Sequence, residues 1–379
     1  MIFESEVLEE FGTNFNKKAF NDKYDPIFYR DLEIRKLMEI LSRRFKNNPL
    51  LLGKPGVGKT ALIENLASMI NNGQVPKELK NKTIYGLRIS DLVAGTSYRG
   101  EFEEKVKIIL NEVYKNSEKI ILFIDEIHTV SKAGSSEGGL DLANMLKPAL
   151  SRGDFQLIGA TTNEEYEKFL QHDKALDRRF QKILIEEPDD YICYLMIKKL
   201  KSKYEFFHDI QIEDEGILEA VLLSKSDKTK FFPDKALDLL DLACSRLKIN
   251  SEFFSDELLK LNNQIELYEE FNNDPLLSNF PISSEIKSID INSVNLRKKS
   301  ITDDIEVVKN NRIKYIKNNK LIRVYSKEAD SMKTQGYNSK YEEIQMTIIP
   351  KLIDENRIKS NNCILTAEII RETFNFLNS

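Results

Sequence analysis

The sequence lacks tryptophan and has few cysteines, few histidines and no excess of basic residues. Lys and Arg total 56 against 61 Asp and Glu, so the formal net charge is -5. Proteins held to nucleic acid by counterion release normally carry a basic excess, and this balance argues against a nucleic-acid partner. The widely spaced Cys193, Cys244 and Cys363 form no metal-ligand pattern and indicate free thiols in a reducing compartment.

Long apolar runs and a targeting signal are also missing. The longest apolar run extends from Ile120 to Ile124, far short of the roughly 20 residues that a membrane-spanning helix needs. The first residues, MIFESEVLEE, are acidic and contain neither a basic segment nor a long apolar one. We therefore expect no membrane insertion and a protein that works in the compartment that makes it.

Glycine becomes scarce after residue 250, where only Gly336 remains. Before that point, strand-like and helix-like segments alternate. Strands are predicted at 48–52, 83–89, 119–124 and 155–160, with helices at 59–71, 102–114 and 140–151. This alternation predicts an α/β fold with a doubly wound parallel sheet.

The remainder of the chain is predicted to be helical. Helices at 191–204, 214–224 and 233–248 would form a small lid, and further helices are predicted at 305–324 and 341–353. Proline and Asn/Ser clusters predict a loop at 272–295.

Residues 53–60, GKPGVGKT, match the phosphate-loop pattern G-x-x-x-x-G-K-[ST] between a predicted strand and a predicted helix. Backbone N–H groups of such a loop and the start of the following helix bind phosphates. We expect Lys59 to contact the phosphates of ATP and Thr60 to ligate Mg²⁺. The predicted nucleotide-binding residues are Gly53, Pro55, Gly56, Val57, Gly58, Lys59, Thr60 and Ala61.

Acidic and hydroxyl side chains follow two later predicted strands. Asp125 is predicted to be a second Mg²⁺ ligand, and Glu126 to orient and polarise the attacking water. A hydroxyl of Thr161 or Thr162, at the end of a further predicted strand, could sense the γ-phosphate or the attacking water. The adjacent Arg178 and Arg179 fit either a salt-bridged surface or fingers that reach a neighbour's site, and the residue pattern leaves both open.

These motifs, in this order, resemble the first ATPase module of the Clp/heat-shock double-ring unfoldases of the AAA+ class. The similarity extends over about residues 8–247. It includes the strings LEEFGTNF (8–15), YDPIFYRDLEIRKLMEIL (24–41), GTSYRGEFEEKVK (95–107), ILFIDEIHTV (121–130), IGATTNEEYEKF (158–169), ALDRRFQKI (175–183) and FFPDKALDLLDLACSRL (231–247). The FGTN string favours the ClpC branch over ClpB.

The resemblance implies roles for several residues. Thr162 is then the first sensor, Arg178 and Arg179 are arginine fingers that act in trans, and Tyr98 is the pore tyrosine that grips polypeptide. ATP is expected between the α/β part and the lid, near residues 25–29. Tyr29 departs from the family, which has a glycine there.

Composition and resemblance together predict five segments. These are an N-terminal segment (1–22), a large α/β ATP-binding subdomain (23–190), a helical lid (191–250), a divergent helical middle region (251–360) and a C-terminal helix (361–379). The substrate-recruiting N-terminal domain and the second ATPase module of the family are expected to be absent.

The implied function is that of an ATP- and Mg²⁺-dependent unfoldase, not itself a peptidase, in a ring expected to be a hexamer. Its expected partners are copies of itself, protein substrates, a separately encoded ClpC second-module subunit and a Clp peptidase. One alternative is a non-catalytic ATP-binding ring component that regulates such a partner. A remodeller acting on nucleic acid is disfavoured by the acidic balance and by Tyr98.

The abundance of Lys, Ile and Asn indicates an AT-rich genome. Together with the ClpC resemblance, this predicts a plastid-encoded subunit in the chloroplast stroma, with the bacterial cytoplasm as the alternative.

Overall fold

The computed structural model describes residues 2–21, 24–89, 92, 99–132, 145–147, 150, 155–252, 256–273, 286, 288–334, 342–352 and 364–377. The chain divides into two compact units. The first comprises Met1–Leu200 with Ser224–Leu237, and the second comprises Lys201–Leu223 with Asp238–Ser379. In the described part of the chain, no helix is both long and apolar enough to cross a membrane.

The first unit is built on a six-stranded sheet with the order β1-β3-β4-β5-β2-β6. The strands are β1 Gly12–Asn14, β2 Asn48–Leu52, β3 Thr83–Leu87, β4 Ile120–Ile124, β5 Gln156–Thr161 and β6 Phe180–Leu184. All neighbouring strands are parallel except β1, which pairs antiparallel with β3. The predicted doubly wound α/β fold is confirmed, whereas the antiparallel edge strand was not predicted and the strand predicted at 83–89 ends at Leu87.

Helices cover both faces of this sheet. They are Glu6–Phe11, Phe15–Phe20, Asp31–Leu41, Lys59–Asn71, Arg99–Lys115, Thr129–Lys132, Asn163–Glu165 and Lys174–Asp177, with a 3-10 turn at Lys77–Leu79 and a π turn at Tyr166–Leu170. Successive residues of a strand enter different cores: Leu50 and Leu52 pack on one face, and Leu51 packs on the other. The apolar runs that predicted the central strands therefore reflect burial on both faces.

Two helices, Asp190–His208 and Asp234–Glu252, contribute to both units. The second unit also contains the helices Asp214–Ser224, Asp256–Asn273, Ile291–Thr334 and Ala367–Leu377, and a π turn at Ile344–Ile348. A short parallel pair joins β7 Gln211–Ile212 to β8 Ile364–Leu365. The loop predicted at 272–295 is wrong at both ends, because one helix continues to Asn273 and the next begins at Ile291; residues 274–285 and 287 lie outside the described part.

The helix Ile291–Thr334 has 44 residues and is therefore about 66 Å long. The helix Asp256–Asn273 packs against it. Near its middle, Arg312 is only 1% exposed, and its Nη2 atom donates a hydrogen bond of 3.0 Å to the carbonyl oxygen of His208. This buried contact fixes the long helix to the end of the helix Asp190–His208.

Candidate functional site

The phosphate loop joins β2 to the helix Lys59–Asn71. Its backbone is left-handed at Gly56 (φ 76°) and Gly58 (φ 96°), a conformation that favours glycine. A Cβ atom on Gly56 would lie 2.7 Å from the Cβ atom of Asp234, whereas a Cβ atom on Gly58 would meet nothing within 4 Å. The loop is thus tightly packed at Gly56 and open at Gly58, directly before the helix N-terminus.

Arg30 holds the phosphate loop in place through buried hydrogen bonds. The sequence did not predict it as a site residue. Its side chain is 7% exposed, and Nη2 donates to the carbonyl oxygens of Glu186 (2.8 Å) and Val57 (3.3 Å). The preceding Tyr29 has a φ of 58°, a left-handed conformation that a non-glycine residue adopts at an energetic cost. This conformation gives a physical reason for the family glycine at this position.

Lys59 places its ammonium group over the loop. Its Nζ atom donates to the carbonyl oxygens of Gly53 and Lys54, each at 2.9 Å. Burial lowers the pKa of Lys59, partly offset by the negative charges of Asp125, Glu165 and Glu126. A partly buried cation beside an open turn of backbone fits a phosphate ligand, so these residues are suited to hold ATP.

The two predicted metal ligands meet although they are 65 residues apart. The Thr60 hydroxyl donates to Oδ2 of Asp125 at 2.9 Å, and Oδ1 of Asp125 accepts the backbone N–H of Glu126 at 2.9 Å. A hydroxyl and a carboxylate are oxygen ligands of the kind Mg²⁺ binds. The donor set therefore fits the predicted ion.

Glu126 sits on a tight turn after β4. Its φ of 50° is left-handed, and its carbonyl oxygen accepts both the backbone N–H (2.9 Å) and the hydroxyl (2.8 Å) of Thr129. Its side chain is exposed. The turn thus fixes the backbone while the carboxylate remains accessible to water, as a residue that polarises water requires.

Thr162 follows β5, which lies between β2 and β4 in the sheet. Its hydroxyl accepts the backbone N–H of Glu165 and donates to Oε2 of the same residue, both at 3.2 Å. Because the carboxyl ends of parallel strands share one edge, Thr162 stands between the phosphate loop and Asp125. This is the position from which a hydroxyl can contact a bound phosphate.

Arg178 and Arg179 lie near the amino ends of the parallel strands, opposite the carboxyl ends where the phosphate loop and Asp125 lie. They precede β6, whose first residue Phe180 pairs with Asn48 at the start of β2, while the phosphate loop follows the end of β2. The five strand residues between the two ends span about 16 Å, which is farther than an arginine side chain reaches. The two arginines therefore cannot contact phosphates bound by their own chain.

The remaining predicted residues are placed as follows. Pro55 and Val57 belong to the loop, and Ala61 lies in the first turn of the helix Lys59–Asn71. Tyr98 lies outside the described residues, so the pore role stays a prediction.

A pocket of about 330 Å³ opens beside Thr60 and Asp125. Glu64, one helical turn after Thr60, lines it together with Tyr24 and Lys18. Burial and the negative charge of Asp25 raise the pKa of Glu64 to about 7, against a smaller lowering by Lys18. No sequence motif indicated Glu64. Its pKa depends on burial and on Asp25 and Lys18, which lie about 40 residues earlier in the chain and come close only in the folded protein.

Comparison with known proteins agrees with this geometry. Residues 49–187 match the family of ATPases associated with various cellular activities (AAA), and residues 189–289 match the AAA lid domain. The chain therefore contains an AAA ATPase domain followed by an AAA lid domain.

The curated relatives are ClpB chaperones. The AAA+ chain is 49% identical over 263 residues to chaperone protein ClpB of Bacteroides thetaiotaomicron, covering 69% of this chain and 30% of that protein. It is 48% identical over 264 residues to ClpB of Porphyromonas gingivalis, covering 69% and 31%. The chain thus spans about a third of the length of these relatives, and they do not show the predicted ClpC identity.

Two solved structures of Hsp104 from S. cerevisiae are also similar. The Hsp104–ADP complex has a TM-score of 0.70 and 29% identity, over 98% of this chain and 55% of that one. An Hsp104:casein complex has a TM-score of 0.59 and 41% identity, over 64% and 42%. The first similarity extends through the region after residue 250, which the sequence alone described only as divergent and helical.

Proposed function

We propose that this AAA+ chain is a subunit of a ring that hydrolyses ATP and uses the energy to unfold proteins. The observation that supports hydrolysis most directly is the meeting of Thr60, Asp125 and Glu126 at the carboxyl edge of the sheet. Similarity to ClpB chaperones and to an Hsp104 bound to casein supports protein as the substrate.

In the proposed reaction, Lys59 and the loop backbone hold the phosphates, and Thr60 and Asp125 hold Mg²⁺. When bound, the ion neutralises charge on the phosphoryl oxygens. Glu126 orients the attacking water and polarises its O–H bond, while the hydroxyl of Thr162 donates a hydrogen bond toward the phosphate.

The positions of Arg178 and Arg179 support the proposed ring. Since neither can reach the phosphate loop of its own chain, they can supply positive charge to the reaction only in a neighbouring subunit. Arginine fingers of this kind are worth roughly 10³- to 10⁵-fold in rate. A closed ring, expected to be a hexamer, gives every subunit such a neighbour.

Three finer parts of the proposal rest on the sequence. Tyr98 grips the substrate polypeptide in the pore. The FGTN string supports a ClpC-type protein that cooperates with a Clp peptidase. The AT-rich composition supports a plastid-encoded protein of the chloroplast stroma, with the bacterial cytoplasm as the alternative.

A second candidate is a ring component that binds ATP without hydrolysing it and regulates a catalytic partner. Glu126 argues against it, because a purely nucleotide-binding subunit does not need an accessible carboxylate on a fixed turn.

The variant Glu126→Gln separates the two candidates. It should retain ATP affinity and lose steady-state turnover, because the amide does not polarise water. Unfolding of a fluorescent test protein should stop with it. The control Glu118→Gln changes an exposed glutamate before the same strand and should leave both rates unchanged. A parent chain that binds ATP but shows no turnover would support the regulatory candidate.

A further inference from the structure

A polar network lies directly behind the proposed sensor, in the interior of the first unit. His128 is 3% exposed and Thr161 is 2% exposed. The Nδ1 atom of His128 lies 2.9 Å from Oγ1 of Thr161 and 3.0 Å from Oε2 of Glu165. The hydroxyls of Thr161 and Thr162 both donate to that same carboxylate oxygen, each at 3.2 Å.

The donors and acceptors of this network can be assigned. Burial tends to raise the pKa of Glu165, but the charge of His128 and the hydrogen bonds from Thr162 and Thr161 outweigh it and lower the pKa. An ionised carboxylate only accepts hydrogen bonds, so the Nδ1 atom of His128 carries the proton that faces it. Two hydroxyls thus donate to one oxygen of Glu165, and the single Nδ1 proton of His128 is shared between that oxygen and Oγ1 of Thr161.

We propose that His128 and Glu165 are positioning residues that orient the Thr162 hydroxyl, which exchanges its hydrogen bond to Glu165 for one to a phosphate oxygen of bound ATP. The proposal rests on the proposed function, since it requires Thr162 to act as the sensor. It adds two residues that make no hydrogen bond to the phosphate loop or to the two metal ligands in the contacts described above, although the charge of Glu165 also acts on Lys59.

Thr162 is the donor best able to leave the carboxylate. Its bond to Glu165, like that of Thr161, is longer than the contact from His128, and its side chain alone among the three is partly exposed. When it turns away, Thr161 and His128 remain beside Oε2, and the Glu165 side chain is 33% exposed, so the carboxylate keeps both protein partners and access to water. The cost of releasing the sensor is therefore low.

The same network joins two strand ends. His128 lies two residues after Glu126 in the turn that follows β4, and Ile127 N–H donates to the carbonyl oxygen of Ala160 in β5 at 3.0 Å. Thr161 is the last residue of β5, next to Thr162. A change in the Thr162 hydrogen bond is consequently transmitted to the turn that holds Glu126.

Steady-state hydrolysis provides the first test. Glu165→Gln keeps the size of the side chain but removes its charge, and it should lower kcat about 10- to 100-fold with KM within about twofold, since small misplacements cost rate more than binding. Glu167→Gln, an exposed glutamate two residues away, is the matched control. In a Thr162→Ala background, Glu165→Gln should cost nothing further, because residues that act through one group are non-additive. Additive losses, or a kcat equal to that of the control, would overturn the proposal.

A nuclear magnetic resonance readout is independent of turnover. The chain has only three histidines, so histidine-labelled protein gives a simple spectrum. The variant His172→Gln removes one of the two other signals and so helps to assign that of His128. Without nucleotide, the Nδ1 proton of His128 should exchange slowly with solvent, and Glu165→Gln should make it exchange fast. Adding ATP should shift the His128 signal in the parent and not in Thr162→Ala.

The outcomes separate this proposal from the proposed function. If Thr162→Ala hydrolyses ATP at the parental rate, the sensor role and this proposal both fail. If Thr162→Ala is slow but Glu165→Gln is not, only the positioning role fails. If Glu165→Gln does not fold, Thr161→Val tests the same network, because valine keeps the shape of threonine but lacks the hydroxyl. It should lower kcat, and Thr161→Ser should restore the rate. If the parent chain binds ATP without turnover, a His128 signal that ATP does not shift would overturn the proposed exchange of the Thr162 hydrogen bond.

Discussion

Replacement of Glu64 by glutamine should stabilise the first unit at neutral and alkaline pH but not at pH 5. In the folded chain the pKa of Glu64 is raised from 4.5 to about 7 by burial and by Asp25. Between these two values the folded chain binds more protons than the unfolded chain, so stability falls as pH rises from about 4.5 to about 7. Glutamine is neutral at every pH and removes this loss.

The size of the effect follows from the position of the carboxyl group on the pocket wall. A shift from 4.5 to about 7 corresponds to about 3 kcal/mol for a fully buried group. The carboxyl group is partly solvated and faces Lys18 as well as Asp25, so screening reduces the figure to about 1 kcal/mol. For a unit of this size, that is a melting-temperature increase of about 3 °C.

The assay is thermal unfolding followed by circular dichroism, without nucleotide or magnesium, at pH 5 and pH 8. The melting temperature of Glu64→Gln should match the parent at pH 5 and exceed it at pH 8. Glu78→Gln, at an exposed position, should behave as the parent at both. An equal increase at both pH values would refute the reasoning, because it would show a packing effect instead of a titration.

Two further predictions concern the loop and the ring. Gly56→Ala should lower the free energy of unfolding by about 1–2 kcal/mol in urea, because the residue is left-handed and lies against Asp234; an unchanged midpoint would contradict the tight packing. Arg178→Ala/Arg179→Ala should bind ATP normally and lose at least about 10³-fold in kcat, and mixing it with inactive Lys59→Ala should restore part of the rate. Full activity of the arginine variant as a dilute monomer would exclude action in trans.

The sequence predicted best those elements that have a clear local signal. Both bounds of β2, of the helix Lys59–Asn71 and of the helix Asp214–Ser224 were predicted to the residue. In β2 a buried apolar run ends at a glycine, and the helix Asp214–Ser224 begins at an acidic residue. Such local signals mark the ends of an element directly in the sequence. The position of Thr60 near Asp125 followed in the same way, since the phosphate-loop pattern specifies both a strand and a helix.

The missed elements are those whose position depends on distant contacts. β1, β7 and β8 have only two or three residues each, too few for a periodic pattern. The helix Ile291–Thr334 was predicted only over part of its length, because its apolar residues do not keep to one face and its polar residues resemble those of a loop. The charge environment of Glu165 was invisible for a similar reason, as His128 lies 37 residues away.

Arg312 divides the 44-residue helix into two arms of about 30 Å each. The first arm is paired with the helix Asp256–Asn273 through Arg297 and Glu257, and the second packs through Ala329 against the turn Ile344–Ile348. A movement of either arm about Arg312 therefore has to separate its contact, so spectroscopic labels at the two ends of the helix would report which arm a bound ligand releases.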